Sequence, residues 1–179
     1  MGDSFSSGEG AYSYELGTDE NGERMWPDGN GGYFKQGVAN KCHLSRNSYP
    51  YLISNMTAPL NDFRSIACSG ATTKHYTSEQ KDRHEVEVSP LGKWLPGYRP
   101  QREYLREASP SVVTITMGGN DIGFADIVRE CVIWPDVCYR SLEYRQELAE
   151  RVHNLYGELV QLYSDMRATS NNARVYVLG

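Results

Sequence analysis

Hydrophobic and polar positions alternate in ways that fix two strands and a long helix. Val112-Val113-Thr114-Ile115-Thr116-Met117 is a β-branched run halted by Gly118-Gly119, the signature of a buried strand that must turn sharply at its end. From Leu142 onward, Leu148, Val152, Leu155, Leu159, Leu162 and Met166 recur at alternating spacings of four and three with charges between them. That spacing predicts one apolar face of a helix ending near Asn171-Asn172. Residues 174–178 (Arg-Val-Tyr-Val-Leu) read as a second buried strand, ending at Gly179. Strand, crossover helix and strand in that order predict a parallel sheet covered by helices, the α/β class.

The remaining pattern is weaker. Residues 48–56 suit a short helix, and 63–68 a short strand running into Ser69-Gly70. Residues 74–100 are polar, charged and punctuated by proline, a long excursion with no legible fold. The first 37 residues hold nine of the 17 glycines, with turns at Asp19-Glu20-Asn21-Gly22 and around Pro27-Asp28-Gly29, and read as an irregular surface segment with neither strand nor helix. That segment nevertheless carries Tyr12, Tyr14, Trp26, Tyr33 and Phe34. Such aromatic mass either docks onto the domain or lines a substrate cleft, and Tyr12, Tyr14 and Trp26 are the candidates for the second role. No internal repeat or low-complexity run interrupts the chain.

Composition narrows the class. With 179 residues and 39% hydrophobic content, residues 1–179 read as a single domain able to bury a core,. A net charge of −5 without a basic cluster argues against nucleic-acid binding, which needs several phosphates neutralised. The apolar runs fall far short of the roughly 20 residues that span a bilayer. Nothing ahead of Gly2 reads as a signal peptide,. The four cysteines, Cys42, Cys68, Cys131 and Cys138, lack the Cys-x-x-Cys spacing that wraps zinc, so two disulfides are expected. Three pairings are open; Cys42–Cys68 with Cys131–Cys138 closes one medium and one short loop. Disulfides imply an oxidising compartment.

In open α/β sheets, ligands sit beyond the carboxyl ends of the strands. Three polar, glycine-flanked sites are expected there: Gly2-Asp3-Ser4, Ser69-Gly70 and Gly118-Gly119-Asn120-Asp121. Together they offer a hydroxyl nucleophile, a backbone N–H freed by glycine and a side-chain amide donor, the parts needed to attack a carbonyl and hold its oxyanion. Each alone has a local explanation, since Asp and Ser cap helices and Asn-Asp after glycines makes turns.

Gly2-Asp3-Ser4-Phe5-Ser6-Ser7-Gly8-Glu9-Gly10, the stretch from Cys42 to Tyr49-Pro50, Ala67-Cys68-Ser69-Gly70-Ala71 and Gly118-Gly119-Asn120-Asp121-Ile122-Gly123-Phe124 resemble, in order, the blocks of the SGNH (GDSL) hydrolases. The nearer likeness is to their secreted bacterial esterase and lipase branch with disulfides. The stretch is unlike the Gly-x-Ser-x-Gly elbow of α/β-hydrolases, because Ser6 stands where its second glycine belongs. The resemblance implies a flavodoxin-like three-layer sandwich with a parallel central sheet. It implies Ser4 as nucleophile, with the N–H of Ser4, the N–H of Gly70 and the side-chain amide of Asn120 as oxyanion hole. It further implies acyl-ester hydrolysis, a secreted extracellular protein and support for the two disulfides. The expected partner is a small-molecule or lipid ester, with peripheral contact to lipid surfaces and a monomeric state. No cofactor is expected and no ligand cluster calls for a metal.

The resemblance also implies a general-base His in an Asp-x-x-His block near the family's C-terminus, and none of His43, His75, His84 and His153 matches it. Only three residues precede Ser4, where the fold places a central strand. Both departures lead to the expectation of a fragment trimmed at each end, inactive or weak in isolation. The competing reading is a non-catalytic module of the same fold that grips a glycan or lipid with the aromatic loop. A nucleotide site at Gly118-Gly119 lacks both the Gly-x-Gly-x-x-Gly spacing and a phosphate-loop lysine. Asn55-Met56-Thr57 matches a glycosylation sequon and reads as chance.

Overall fold

The computed structural model describes residues 1–15, 18, 41–57, 63–80 and 94–179, with the backbone of 25–27 and 33–35. In chain order the elements are α1 (Ser4–Ser7), β1 (Met25–Pro27), β2 (Tyr33–Lys35), α2 (Tyr49–Met56), a 3-10 turn (Thr73–Tyr76), α3 (Gln101–Ala108), β3 (Val112–Ile115), α4 (Phe124–Ile133), α5 (Pro135–Arg140), α6 (Leu142–Thr169) and β4 (Arg174–Val177). The α/β class holds: β3 and β4 pair in parallel, Val113 opposite Val175 and Ile115 opposite Val177, with α4, α5 and α6 forming the crossover.

β3 is bonded on both edges because successive carbonyls of a strand point to opposite sides. Ile115 O accepts from Leu178 N on the β4 side. Thr114 O and Thr116 O face the other way and accept from the Met1 amine at 2.9 Å and from Asp3 N at 3.1 Å. Residues 1–3 therefore lie parallel to β3, bridged at Gly2 and Thr116, and the chain enters α1 from a sheet position. Gly2 has φ +123°, and a Cβ there would stand 2.2 Å from Thr116 O. Only glycine fits. Gln101 at the start of α3 holds the same residue from behind: its Oε1 accepts from Gly2 N at 2.8 Å and its Nε2 donates to Gly2 O at 2.9 Å.

The core gathers Val113, Ile115 and Met117 of the β3 run with Leu162 and Met166 of α6, Leu105 of α3, Ala71 and Tyr76. Ser141 caps α6 by accepting from Tyr144 N, satisfying one of the orphan donors of its first turn. Burial along the predicted face is uneven. Leu155, Leu162 and Met166 are buried, whereas Val152 is exposed. Two charged positions beside that face turn inward to the 3-10 turn. Glu158 Oε2 accepts from Thr73 Oγ1 at 2.8 Å, and Asp165 accepts from Tyr76 Oη at 2.9 Å. Burial, reinforced by Asp165, pushes the Tyr76 phenol well above its ordinary pKa and keeps it a donor,. No described helix is long and apolar enough to cross a membrane.

Several expectations change. The first 37 residues are not wholly irregular, because Ser4–Ser7 form a turn of helix and β1 pairs antiparallel with β2, Trp26 opposite Phe34. Residues 63–68 are extended without forming a ladder among the described residues; Cys68 N reaches Gly2 O at 3.0 Å, and a single bond of this kind defines no strand. β4 is not buried: Tyr176 and Val177 are about half exposed in the described chain. Within 74–100 the structure resolves the 3-10 turn and the approach to α3, while 81–93 lie outside the described residues. Both disulfides form as Cys42–Cys68 and Cys131–Cys138.

Gly2→Ala is expected to cost about 2–4 kcal/mol, since the methyl meets backbone that cannot move aside. The urea midpoint of the full-length gene product checks it, and an unchanged midpoint would show that residues 1–3 do not hold the β3 edge.

Candidate active site

The loops after β3 and after residue 68 and the start of α1 are tied to one another. Asp3 is bound to Thr116 and Gly2 to Cys68 through backbone hydrogen bonds. The Asn120 amide donates to Ala71 O at 2.8 Å. A Cβ placed on Gly119 would lie 3.9 Å from Asp3 Oδ2. The three glycine-flanked sites singled out in the sequence are therefore brought together at the carboxyl end of β3, where parallel sheets place their ligands.

Asp3 is the N-cap of α1, with Oδ1 accepting from Phe5 N. The same oxygen accepts from Thr116 Oγ1 at 2.7 Å; Thr116 Oγ1 lies 2.7 Å from Ser6 Oγ, which lies 3.0 Å from Tyr49 Oη. An ionised carboxylate only accepts, so the protons run one way: Tyr49 donates to Ser6, Ser6 to Thr116, Thr116 to Asp3. This buried relay fixes the short helix that carries Ser4. Ser4 itself is half-buried at the first helical position, and its Oγ makes no hydrogen bond among the described residues. Its backbone N–H belongs to the first turn, whose donors have no partner inside the helix. At the far end Gly8 closes α1 in the left-handed conformation. There Glu9 pairs with His43, and the Tyr14 ring stacks on His43 at 5.0 Å.

Gly70 sits in the turn closed by Ala71 N donating to Cys68 O, with φ +79°, a conformation that suits glycine and bares its N–H. Among the described residues that N–H has no acceptor. The Cys42–Cys68 bridge and the Ser69 N to Cys42 O bond, 3.0 Å, anchor the turn. Asn120 spends one amide hydrogen on Ala71 O, which fixes its plane and leaves the second for a ligand.

None of the described histidines bonds to Ser4 Oγ. His43 is held by Glu9, His75 Nδ1 accepts from Thr72 N, and His153 is exposed on α6; His84 lies outside the described residues. Tyr14 docks on His43 and accepts from Gly10 N, Tyr12 is exposed, and the Trp26 side chain lies outside the described residues. No group of three His, Cys, Asp or Glu among the described residues stands ready for a metal. A cavity of about 640 Å³, lined in part by Arg64, Trp94, Tyr104, Val112 and Thr114, opens at the amino end of β3 and is separate from these groups. Sequence reading missed Thr73 and Glu158 and gave Asp121 no role. Only Glu158 left a signal, its seven-residue spacing to Asp165 beside Leu155 and Leu162.

Asp3→Ala is expected to cost about 2–3 kcal/mol by removing a helix cap and stranding the Thr116 hydroxyl. Urea unfolding of the full-length gene product reads it directly, and a loss under half that size would reduce the relay to a local cap.

No family model matches the chain. It is 28% identical over its whole length to Lipase 1 of Streptomyces coelicolor and 27% identical to a lipase of Streptomyces rimosus, spanning about half the length of each. Among solved structures, it is similar to the extracellular lipase of Streptomyces rimosus, at 26% identity with a TM-score of 0.62 over 99% of this chain and 57% of that one. It is also similar to phospholipase A1 of Streptomyces albidoflavus NA297, at 28% identity with a TM-score of 0.54 over 99% and 56%. The chain is thus similar over its whole length to Streptomyces lipases and a phospholipase, in line with the resemblance carried by its sequence blocks.

Proposed function

We propose that the full-length protein is a serine hydrolase of carboxylic esters that works through an acyl-enzyme on Ser4. The Ser4 hydroxyl attacks the ester carbonyl, and its proton leaves to a base that is none of the three described histidines. The carbonyl oxygen becomes an oxyanion held by the N–H of Ser4, the N–H of Gly70 and the amide of Asn120. Collapse expels the alcohol, and water then releases the acid through the same intermediate. Both backbone donors are fixed before the substrate arrives, and a neutral amide remains a donor at every pH.

The observation that carries this reading is the hydrogen-bonded meeting of the Ser4 helix, the Gly70 turn and Asn120 at one strand end, in a chain similar throughout to lipases and a phospholipase. Lipid esters are the substrate class those relatives suggest. Two disulfides support an extracellular location. Exposed Val132, Ile133 and Trp134 at the corner between α4 and α5 support peripheral contact with a lipid surface, Trp being suited to the boundary between apolar and polar layers. Of the candidate lining aromatics, Tyr12 is exposed whereas Tyr14 is docked on His43. Residues 1–179 are read as part of one domain acting as a monomer.

Ser4→Ala is expected to abolish hydrolysis of p-nitrophenyl esters by the full-length gene product; retained turnover would remove Ser4 as the nucleophile, and a wild type without turnover would leave the binding-module reading in its place. Asn120→Ala is expected to lower kcat by about two to three orders of magnitude, the usual cost of one oxyanion donor. The kcat ratio to wild type measures it.

A further inference from the structure

The segment that follows the Gly70 turn and the residue that follows Asn120 are bound together more tightly than packing requires. Thr73 N donates to both carboxylate oxygens of Asp121, at 3.0 and 3.1 Å, and Thr73 Oγ1 donates to Asp121 Oδ1 at 2.7 Å. Two residues earlier, Ala71 O accepts from the Asn120 amide. Residues 71 and 73 thus grip 120 and 121 through four contacts that cross 48 or 49 positions of sequence. Thr73 is buried and Asp121 half-buried, so the grip is partly shielded from competing water,.

We infer that Thr73 and Asp121 are positioning residues, which lock the Gly70 turn to the Asn120 loop so that the two oxyanion donors are held as one rigid unit. The inference rests on the ester-hydrolase reading of the site. Its physical content is that an amide donor must meet the oxyanion within a few tenths of an ångström, and Asn120 has a rotatable side chain on a loop. The Ala71 bond orients the amide, and the Asp121 carboxylate fixes the distance between the two loops. Glu158 Oε2 also lies 2.8 Å from Thr73 Oγ1. A hydroxyl has one proton, so the two carboxylates compete for it, while the Thr73 N–H stays with Asp121 throughout. The backbone bond is therefore the constant part of the clamp, and the hydroxyl is the part that substitution can remove.

The experiment is a double-mutant cycle on p-nitrophenyl butyrate with the full-length gene product, read as kcat, KM and thermal midpoint. Thr73→Val is expected to lower kcat by about ten- to a hundredfold, the scale of a small misplacement of a catalytic group. KM is expected to stay within about threefold, as for an interaction made in the transition state only. Thr73→Ser restores the hydroxyl and is expected to recover kcat to within about threefold, a rescue that a packing role for the methyl would not give. In the Asn120→Ala background, Thr73→Val is expected to cost less than about twofold more, because the donor it serves is gone. Should Thr73→Val not fold, Asp121→Ala reads the same clamp: it removes the acceptor of both Thr73 bonds, and a fall in kcat at least as large is expected. Equal losses in the wild-type and Asn120→Ala backgrounds would overturn the inference, as would an unchanged kcat in a protein whose Ser4→Ala variant is dead; the hydrolase reading then stands alone. Hydrolysis that survives Ser4→Ala would overturn that reading and this inference with it.

Discussion

Because a Cβ on Gly2 would stand 2.2 Å from the Thr116 carbonyl oxygen, the chain entering α1 lies against β3 at backbone distance. That closeness sets the remaining geometry. It lets Asp3 N reach Thr116 O and Asp3 Oδ1 reach the Thr116 hydroxyl. Helix, strand and strand-end loop thereby share one buried polar group. A carboxylate at 6% exposure is tolerable only when its lone pairs are occupied, and the ordered hydroxyls of Thr116, Ser6 and Tyr49 extend that satisfaction as far as α2. The candidate nucleophile is rigid because of what lies beneath it, and the contacts that Ser4 makes itself contribute little.

A second constraint acts from the far side of the same loops. α6 meets the 3-10 turn with an apolar face flanked by Glu158 and Asp165, so the helix that crosses between the two strands also steadies the loops after residue 70 and after β3. Apolar packing sets the depth of this contact, and the carboxylates set its register along the helix axis. Neither would do both, since hydrophobic contact is non-directional and an exposed carboxylate bond is weak.

What the sequence made legible follows from how local each signal is. The 112–117 run, the 3-and-4 spacing after Leu142 and the helix at 48–56 are periodic over a few residues, and each is present. The glycine-flanked Ser4, Gly70 and Asn120 segments were visible as motifs, and their meeting followed from strand-end placement in a parallel sheet. Residues 63–68 carry a strand-like pattern, but pairing depends on the neighbour, and their described contact with Gly2 is one bond. Glu158 carried no mark beyond its spacing to Asp165, because periodicity assigns the charges between apolar positions outward by default. Thr73 and Asp121 are ordinary turn residues until the fold brings them together across 48 positions. Such long-range polar contacts leave no trace in a single sequence.

The disulfides join cysteines that are consecutive along the chain, first to second across 26 residues and third to fourth across seven. A polypeptide oxidised as it emerges amino end first meets its native partners in order, with no later thiol present when the first bridge closes. Oxidation in order of arrival would then coincide with the native connectivity and would not call for the slow reshuffling that interleaved bridges require. Refolding the reduced chain all at once forfeits that advantage, because all four thiols compete together and two of the three pairings are wrong. Consecutive pairing is thus the connectivity that oxidation in order of synthesis would favour.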